Sequence, residues 1–310
     1  MWQNPIFQPF EPRHAGLWGR APQLLKHRLH EHELFSNEAL ARLVERYPRE
    51  RYSLVQWGEH GASGTWREGE IAGLPGEAVL DSVARGRVWI NLRDAPAVDP
   101  RYADVMNAVF DELEGHMPEF RTFTRKLGVL ISSPLSRTLY HADLPGQSLW
   151  QIRGAKRVYV YPNAAPFQTP ELIERVALSG VEVNMPYRDW YDEHATVFDI
   201  GPGDMLHWPL NAPHRVDNHD CLNVSMTLEY FTEEIRRSHM VTVANGILRA
   251  KFGLTPRDRS ISGPGFWSKA VLQRALRGTG WVRRESRLRS RAEFRLDPTR
   301  PGCVADIEAA

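Results

Sequence analysis

Between Arg121 and Tyr230 the chain is divided into short apolar segments, TRKLGVLIS, RTLYHAD, QSLWQIR, KRVYVYP, ATVFDI, DMLHWP and LNVSMTLEYF, separated by Pro, Gly, Asn and Asp. Many short strands with frequent turns predict a sandwich or barrel of the jelly-roll kind. One helix interrupts them at TPELIERVALSG, where Thr169 caps and Pro170 occupies the first turn.

The flanks read differently. Residues 1–35 are rich in Pro, His and Arg without a clean period and are expected to form an arm wrapped over the domain surface. SNEALARLVERYP predicts a short helix, with Ser36 as cap, Glu38 in the first turn and Pro48 past its end. RYSLVQW and RVWINLR predict strands. Asp99 and Pro100 open a helix through about Leu113, in which Val105, Val109, Phe110 and Leu113 share one face. After Phe231 the pattern turns helical again, from about Thr232 to Phe252 with Gly253 as a stop, then from about Phe266 to Leu276. The expected fold is therefore mostly β with flanking helices: an N-terminal arm and α/β elaboration over 1–120, a jelly-roll core over 121–231, and C-terminal helices with a tail over 232–310. The tail segment WVRRESRLRSRAEFRLDPTRPG is dense in Arg and reads as a solvated surface segment, with phosphate or acidic-partner binding as the alternative.

Composition excludes several classes. In 310 residues, 39 Lys and Arg against 38 Asp and Glu leave a formal charge of +1, so no global field calls for nucleic acid or an anionic membrane. No apolar run approaches the roughly 20 residues that span a bilayer. The N-terminus lacks the basic and apolar regions of a secretory signal. With only Cys221 and Cys303, no disulfide framework is indicated and the reducing cytoplasm is the default expectation.

The chemistry concentrates in TLYHADLPGQSLWQIRGAK. Residues two apart in a strand project to one face, so His141 and Asp143 would present an imidazole and a carboxylate side by side. A second His would complete the two-histidine, one-carboxylate set that leaves part of an octahedral iron(II) open. The candidates are His194, His207, His214 and His219. In GPGDMLHWPLNAPHRV, His214 begins a strand across a short loop, which makes it the expected distal ligand. His207 lies within the preceding strand among apolar neighbours and reads as a packed core residue. His194, in DWYDEHA, and His219, in DNHDC, are expected to be exposed.

The order HAD, then LWQIRGAKRVYVYP, then PGDMLHWPLNAPH, resembles the JmjC and cupin-like family of Fe(II)- and 2-oxoglutarate-dependent oxygenases, nearest the asparaginyl hydroxylase that inhibits hypoxia-inducible factor. The resemblance covers about residues 125–230. It implies a double-stranded β-helix, iron(II) held by His141, Asp143 and His214, and oxygen and 2-oxoglutarate as co-substrates. It also implies that Lys156 and Thr138 hold the distal carboxylate of 2-oxoglutarate. Gln147 and Thr227 stand where that hydroxylase has Asn residues near the co-substrate, and Asn223 and Ser225 are further polar candidates on the same strand as Thr227. Lys156 shares parity with Val158 and Val160 and is expected to point inward, because a dicarboxylate tail buried in a barrel needs a cation. Another clade of these enzymes uses an Arg on the strand after the distal His, and CLNVSMTLEYF contains none. Trp150, Trp208 and Tyr140 are candidates to line the cavity or to sit in the core.

The implied activity is hydroxylation of a C–H bond in a peptide or protein side chain, with release of succinate and carbon dioxide. Two alternatives remain at this level: an oxygenase of a free amino acid or other small metabolite, its pocket closed over by residues 1–35, and a non-oxygenase cupin that binds a metal as a regulator. The resemblance also implies a homodimer through the two C-terminal helices.

Overall fold

Strand alternation decides where the cores lie, because each strand offers one face to each side of its sheet. The computed structural model describes residues 4–56, 67–179, 185–276 and 292–307. Its N-terminal part contains α1 (Pro12–Leu17), β1 (Gln23–Lys26), α2 (Asn37–Arg46), β2 (Tyr52–Gln56), β3 (Arg67–Glu70), α3 (Gly76–Arg85), β4 (Val88–Leu92) and α4 (Arg101–His116). The central part contains β5 (Phe123–Ser132), β6 (Arg137–His141), β7 (Gly146–Arg153), β8 (Lys156–Val160), α5 (Pro170–Ser179), β9 (Thr196–Ile200), β10 (Asp204–His207), β11 (His214–Asn218) and β12 (Asn223–Phe231). Then come α6 (Glu233–Phe252), α7 (Gly263–Leu276), β13 (Phe294–Leu296) and β14 (Val304–Asp306).

The strands form two sheets, one of order β1-β10-β7-β12-β5-β4-β2-β3-β13-β14 and one of order β6-β11-β8-β9. Between them lies an interior of Leu149, Leu206 and Trp208 from the large-sheet side and Val158, Val160, Ile200 and Val216 from the small sheet. This is the jelly-roll core expected from the strand pattern. The opposite face of the large sheet carries Trp150, Met205, Val224, Met226 and Leu228, packed with apolar residues of α2, α3 and α4. Behind the small sheet, Tyr140 and Tyr161 pack on Leu172, Ile173 and Val176 of α5, and α6 closes over α5 through Val243 and Ile247. The buried Glu174 ties these layers together, accepting from Arg249 at 2.8 Å and from Arg259 at 2.7 Å.

The helix ends follow local chemistry. Ser36, Thr169 and Thr232 accept from backbone N–H groups at the starts of α2, α5 and α6. Gly253, at φ 65°, ends α6 in the left-handed conformation, with Gly253 and Leu254 N–H donating back to Arg249 and Leu248.

Three features depart from the sequence expectation. The first 35 residues do more than wrap the surface: β1 adds a strand to the edge of β10, and Ile6 and Phe7 enter the outer-face core. The stretch 67–85 forms β3 and α3, for which no periodic signal was read. The Arg-rich tail contributes β13 and β14, which pair with each other and, through β13, in parallel with β3; residues 281–291 of that tail lie outside the described residues. Strands of three or four residues carry too few alternations to be recognised, and their partners decide them.

Phe294 of β13 is fully buried in the outer-face core, and its ring occupies the space that a Cβ at Gly69 would need, at 2.4 Å. The C-terminal strands are thus part of the N-terminal layer. Phe294→Ala is expected to destabilise the protein by about 3–5 kcal/mol, as large cavities in cores do, read as a lower denaturant midpoint for the whole chain.

Candidate metal centre

The small sheet arranges its inward-facing side chains in rows. β11 is central: His214 pairs with His141 of β6 on one side and with Val160 of β8 on the other. In the next row Val216 pairs with Thr138 and Val158, and one row further Asn218 pairs with Lys156. Thr138 is three residues before His141, and strict alternation would put the two on opposite faces. A bulge between the His214 and Val216 pairings inserts one residue into β6 and restores them to the same face. The histidine, threonine and lysine rows are therefore stacked along one interior wall, the outer two separated by about 13 Å of strand.

His141, Asp143 and His214 each offer one ligand atom, and these atoms lie within 4.8 Å of one another. The Asp143 carboxylate is 3.8 Å from His141 Nε2 and 3.4 Å from His214 Nε2. Both rings are fixed from behind. His141 Nδ1 contacts the Leu139 carbonyl at 2.7 Å and His214 Nδ1 the Ala212 carbonyl at 3.0 Å. A carbonyl only accepts, so each Nδ1 carries the proton and each Nε2 turns its lone pair inward. Burial holds both imidazoles below their ordinary pKa, His214 well below it with the neighbouring His141 adding to the effect. Two neutral imidazoles and a carboxylate make a donor set that fits iron(II) or another divalent first-row metal. Trp208 packs on the His214 ring with centroids 4.3 Å apart.

Asn211 completes this end of the barrel and was not singled out in the sequence. It sits at φ 61° in the loop between β10 and β11, and its Nδ2 donates to the Asp143 carbonyl at 2.6 Å. That bond ties the loop carrying His214 to the loop carrying Asp143. The available signal was an Asn in PLNAPH, a residue type tolerant of left-handed backbone.

Lys156 is 3% exposed, and burial pushes its pKa down to about 7. Its Nζ donates to Ser225 Oγ of β12 at 2.8 Å. Among the described residues no carboxylate lies within ion-pair distance of it. An ammonium in such a place is suited to an anionic ligand that enters from the metal side.

The remaining expected residues divide. Thr227 lies opposite Gly128 on β5 and Leu149 on β7, and a Cβ on Gly128 would come within 2.8 Å of its hydroxyl, so the glycine leaves room for it. Gln147 shares the inward parity of Leu149, near the open end of β7. Asn223 is fully buried, with its amide bonded to Gln151 and to the Cys221 carbonyl. Of the candidate aromatics, Trp208 alone faces the interior. Trp150 lies in the outer-face core and Tyr140 beneath α5, so both are core residues and neither lines the cavity.

His207 cannot bind metal in this arrangement. Its Nε2 accepts from Gly19 N–H at 3.1 Å, its Nδ1 donates to the Gln147 carbonyl at 2.9 Å, and Trp18 stacks on its ring. His194 is exposed in a short 3-10 turn, and the exposed His219 pairs with Asp199 at 3.1 Å.

A double-stranded β-helix with a buried His-Asp-His set is thus the class that fold and site define. No protein-family profile matches the chain, and no curated protein matches it in sequence. Solved structures of YcfD from Escherichia coli share the fold. One is 15% identical, with a TM-score of 0.52 over 89% of this chain and 71% of that one. The ribosomal oxygenase YcfD in complex with cobalt and 2-oxoglutarate is 16% identical, with a TM-score of 0.50 over 89% and 69% of the two chains. Its complex with cobalt and succinic acid is 14% identical, with a TM-score of 0.51 over the same shares.

Two outcomes are expected from this geometry. Asn211→Gly keeps the left-handed backbone and removes the bond to Asp143, and it should weaken metal affinity by roughly 10- to 100-fold, measured by competition with a metallochromic chelator. Lys156→Met tests the buried charge. The folded-state pKa of Lys156 lies below its unfolded value, so the unfolded chain binds the extra proton between them and stability rises with pH across that window. At pH 7 and below, the ligand-free Met variant should be more stable than the natural protein by on the order of a few kcal/mol. The gap should close as the pH rises toward 10, followed by denaturant unfolding across the pH range.

Proposed function

We propose that the protein is an Fe(II)- and 2-oxoglutarate-dependent oxygenase that hydroxylates a C–H bond of a peptide or protein side chain. The observation that carries this reading is the pairing on one interior wall of a His-Asp-His donor set with a buried lysine two rows deeper that has no carboxylate partner among the described residues. A metal site alone suits many cupins, whereas the lysine calls for a ligand with an anion at its far end. The shared fold of the ribosomal oxygenase YcfD supports the same class.

In this reading His141, Asp143 and His214 hold iron(II) through Nε2, a carboxylate oxygen and Nε2. The bound metal supplies oxygen activation coupled to conversion of 2-oxoglutarate into succinate and carbon dioxide. The chain does the rest. Lys156 and Thr138 bind the distal carboxylate and thereby orient the keto acid end toward the metal. Trp208, Val158, Val160, Val216 and Leu149 keep water from the interior, which strengthens every charge contact made there. Gln147 and Thr227 contribute polar contacts near the co-substrate.

For the substrate, the placement of the N-terminal arm is informative. Ile6, Phe7, Leu25 and Leu29 belong to the core on the outer face of the large sheet, away from the metal. A lid formed by residues 1–35, which a small-metabolite enzyme would use, is not supported. That favours a mouth accessible to a side chain presented on a larger chain. Helices α6 and α7, the latter with Trp267 and Val271 exposed, are the proposed homodimer contact.

Anaerobic loading with Fe(II) and 2-oxoglutarate, followed by admission of oxygen, should yield succinate, and His141→Ala should abolish it. A protein that neither binds 2-oxoglutarate in the presence of Mn(II) nor yields succinate above the His141→Ala background would overturn the reading.

A further inference from the structure

Deep in the interior, four buried polar side chains form a single chain of hydrogen bonds. Asn223 Nδ2 donates to the Cys221 carbonyl at 2.9 Å, and Gln151 Nε2 donates both to Asn223 Oδ1 at 2.7 Å and to the Arg153 carbonyl at 2.6 Å. Ser225 Oγ then donates to Gln151 Oε1 at 2.7 Å, and Lys156 Nζ donates to Ser225 Oγ at 2.8 Å. Gln151, Asn223 and Ser225 are all at 0% exposure.

The direction of this chain is forced from its far end. Backbone carbonyls only accept, so the Cys221 carbonyl fixes which end of the Asn223 amide faces it, and the Arg153 carbonyl does the same for Gln151. The Gln151 oxygen is therefore left facing Ser225, whose one hydroxyl proton must point at it. What Ser225 then turns toward Lys156 is a lone pair. The ammonium is held by one neutral acceptor, and its other two N–H groups make no hydrogen bond with the described residues. A carboxylate in Ser225's place would neutralise the lysine; a hydroxyl pointing its proton the other way would repel it.

We propose that Gln151 and Ser225 are positioning residues that aim the Lys156 ammonium at the distal carboxylate of a dicarboxylate ligand and so set the preference for 2-oxoglutarate over 2-oxo acids that lack that group. The inference rests on the oxygenase reading above, deepens it, and assigns the selectivity to residues that touch neither metal nor ligand. Loss of the acceptor leaves one buried N–H of the lysine unsatisfied and the amine free to turn away, which weakens only the contact at the far end of the ligand.

The test uses the full-length protein loaded with Mn(II) without oxygen, and calorimetric titration with 2-oxoglutarate and with 2-oxobutanoate, which has the same keto acid end and no second carboxylate. The readout is the ratio of the two Kd values. The natural protein should prefer 2-oxoglutarate, and Lys156→Met should abolish the preference. Ser225→Ala should cut it by roughly tenfold, the size of one hydrogen bond to a charged group, while leaving 2-oxobutanoate affinity unchanged, which also reports an intact site. Ser225→Thr, which keeps the hydroxyl, should retain the preference. Should Ser225→Ala weaken both ligands equally or leave the ratio unmoved while Lys156→Met abolishes it, the positioning role fails and the oxygenase reading stands. Absence of any preference in the natural protein takes both down together.

Discussion

A lysine enclosed between two sheets is the constraint around which the interior is organised. Its charged form loses most of its hydration there, and no carboxylate among the described residues restores it. A protein with no use for that charge would gain stability by replacing it with an apolar residue of similar length. Keeping it is consistent with a ligand that supplies the missing anion, and with a neutral rather than an acidic partner in Ser225. The metal end obeys the complementary logic: two imidazoles are held neutral by burial and locked into one tautomer by backbone carbonyls, so their lone pairs are presented without reorganisation.

Much of this was legible in the residues. The strands of the core announce themselves by β-branched content and turn residues, and alternation alone places Lys156 inward with Val158 and Val160. His214 was separable from His207 because one begins a strand after a loop and the other lies within one; the structure adds that both nitrogens of His207 are already engaged. The glycine of WQIRGAK also has a reason. Gly154 turns the β7–β8 hairpin at φ 74°, and a Cβ there would strike the Leu222 carbonyl at 2.3 Å, beside the Asn223 amide that starts the hydrogen-bond chain.

What was hidden depends on partners distant in sequence. The bulge that brings Thr138 to the face of His141 is a register shift against β11, and no local pattern in RTLYHAD encodes it. The inward or outward direction of Trp150 and Tyr140 follows from which side each helix layer covers, which composition does not state. β1, β13 and β14 exist because an existing sheet edge offers unpaired backbone groups. Asn211 acts through one bond to a backbone carbonyl 68 residues away in sequence.

The large sheet performs two tasks with one set of strands, and alternation keeps them separate. Along β7, Ser148, Trp150 and Ile152 face the helical layer, while Leu149 and Gln151 face the interior. Along β12, Val224, Met226 and Leu228 face outward while Asn223, Ser225 and Thr227 face in. The outer residues fill an extended apolar core with the N-terminal helices and the C-terminal strands, which fixes the sheet as a rigid wall. The inner residues are then free to be polar, because the burial that stabilises these strands is obtained on the other side. The elaboration outside the jelly roll thus bears on the site without touching it: it lets two central strands carry a Gln, an Asn, a Ser and a Thr buried on their inner face and still remain central.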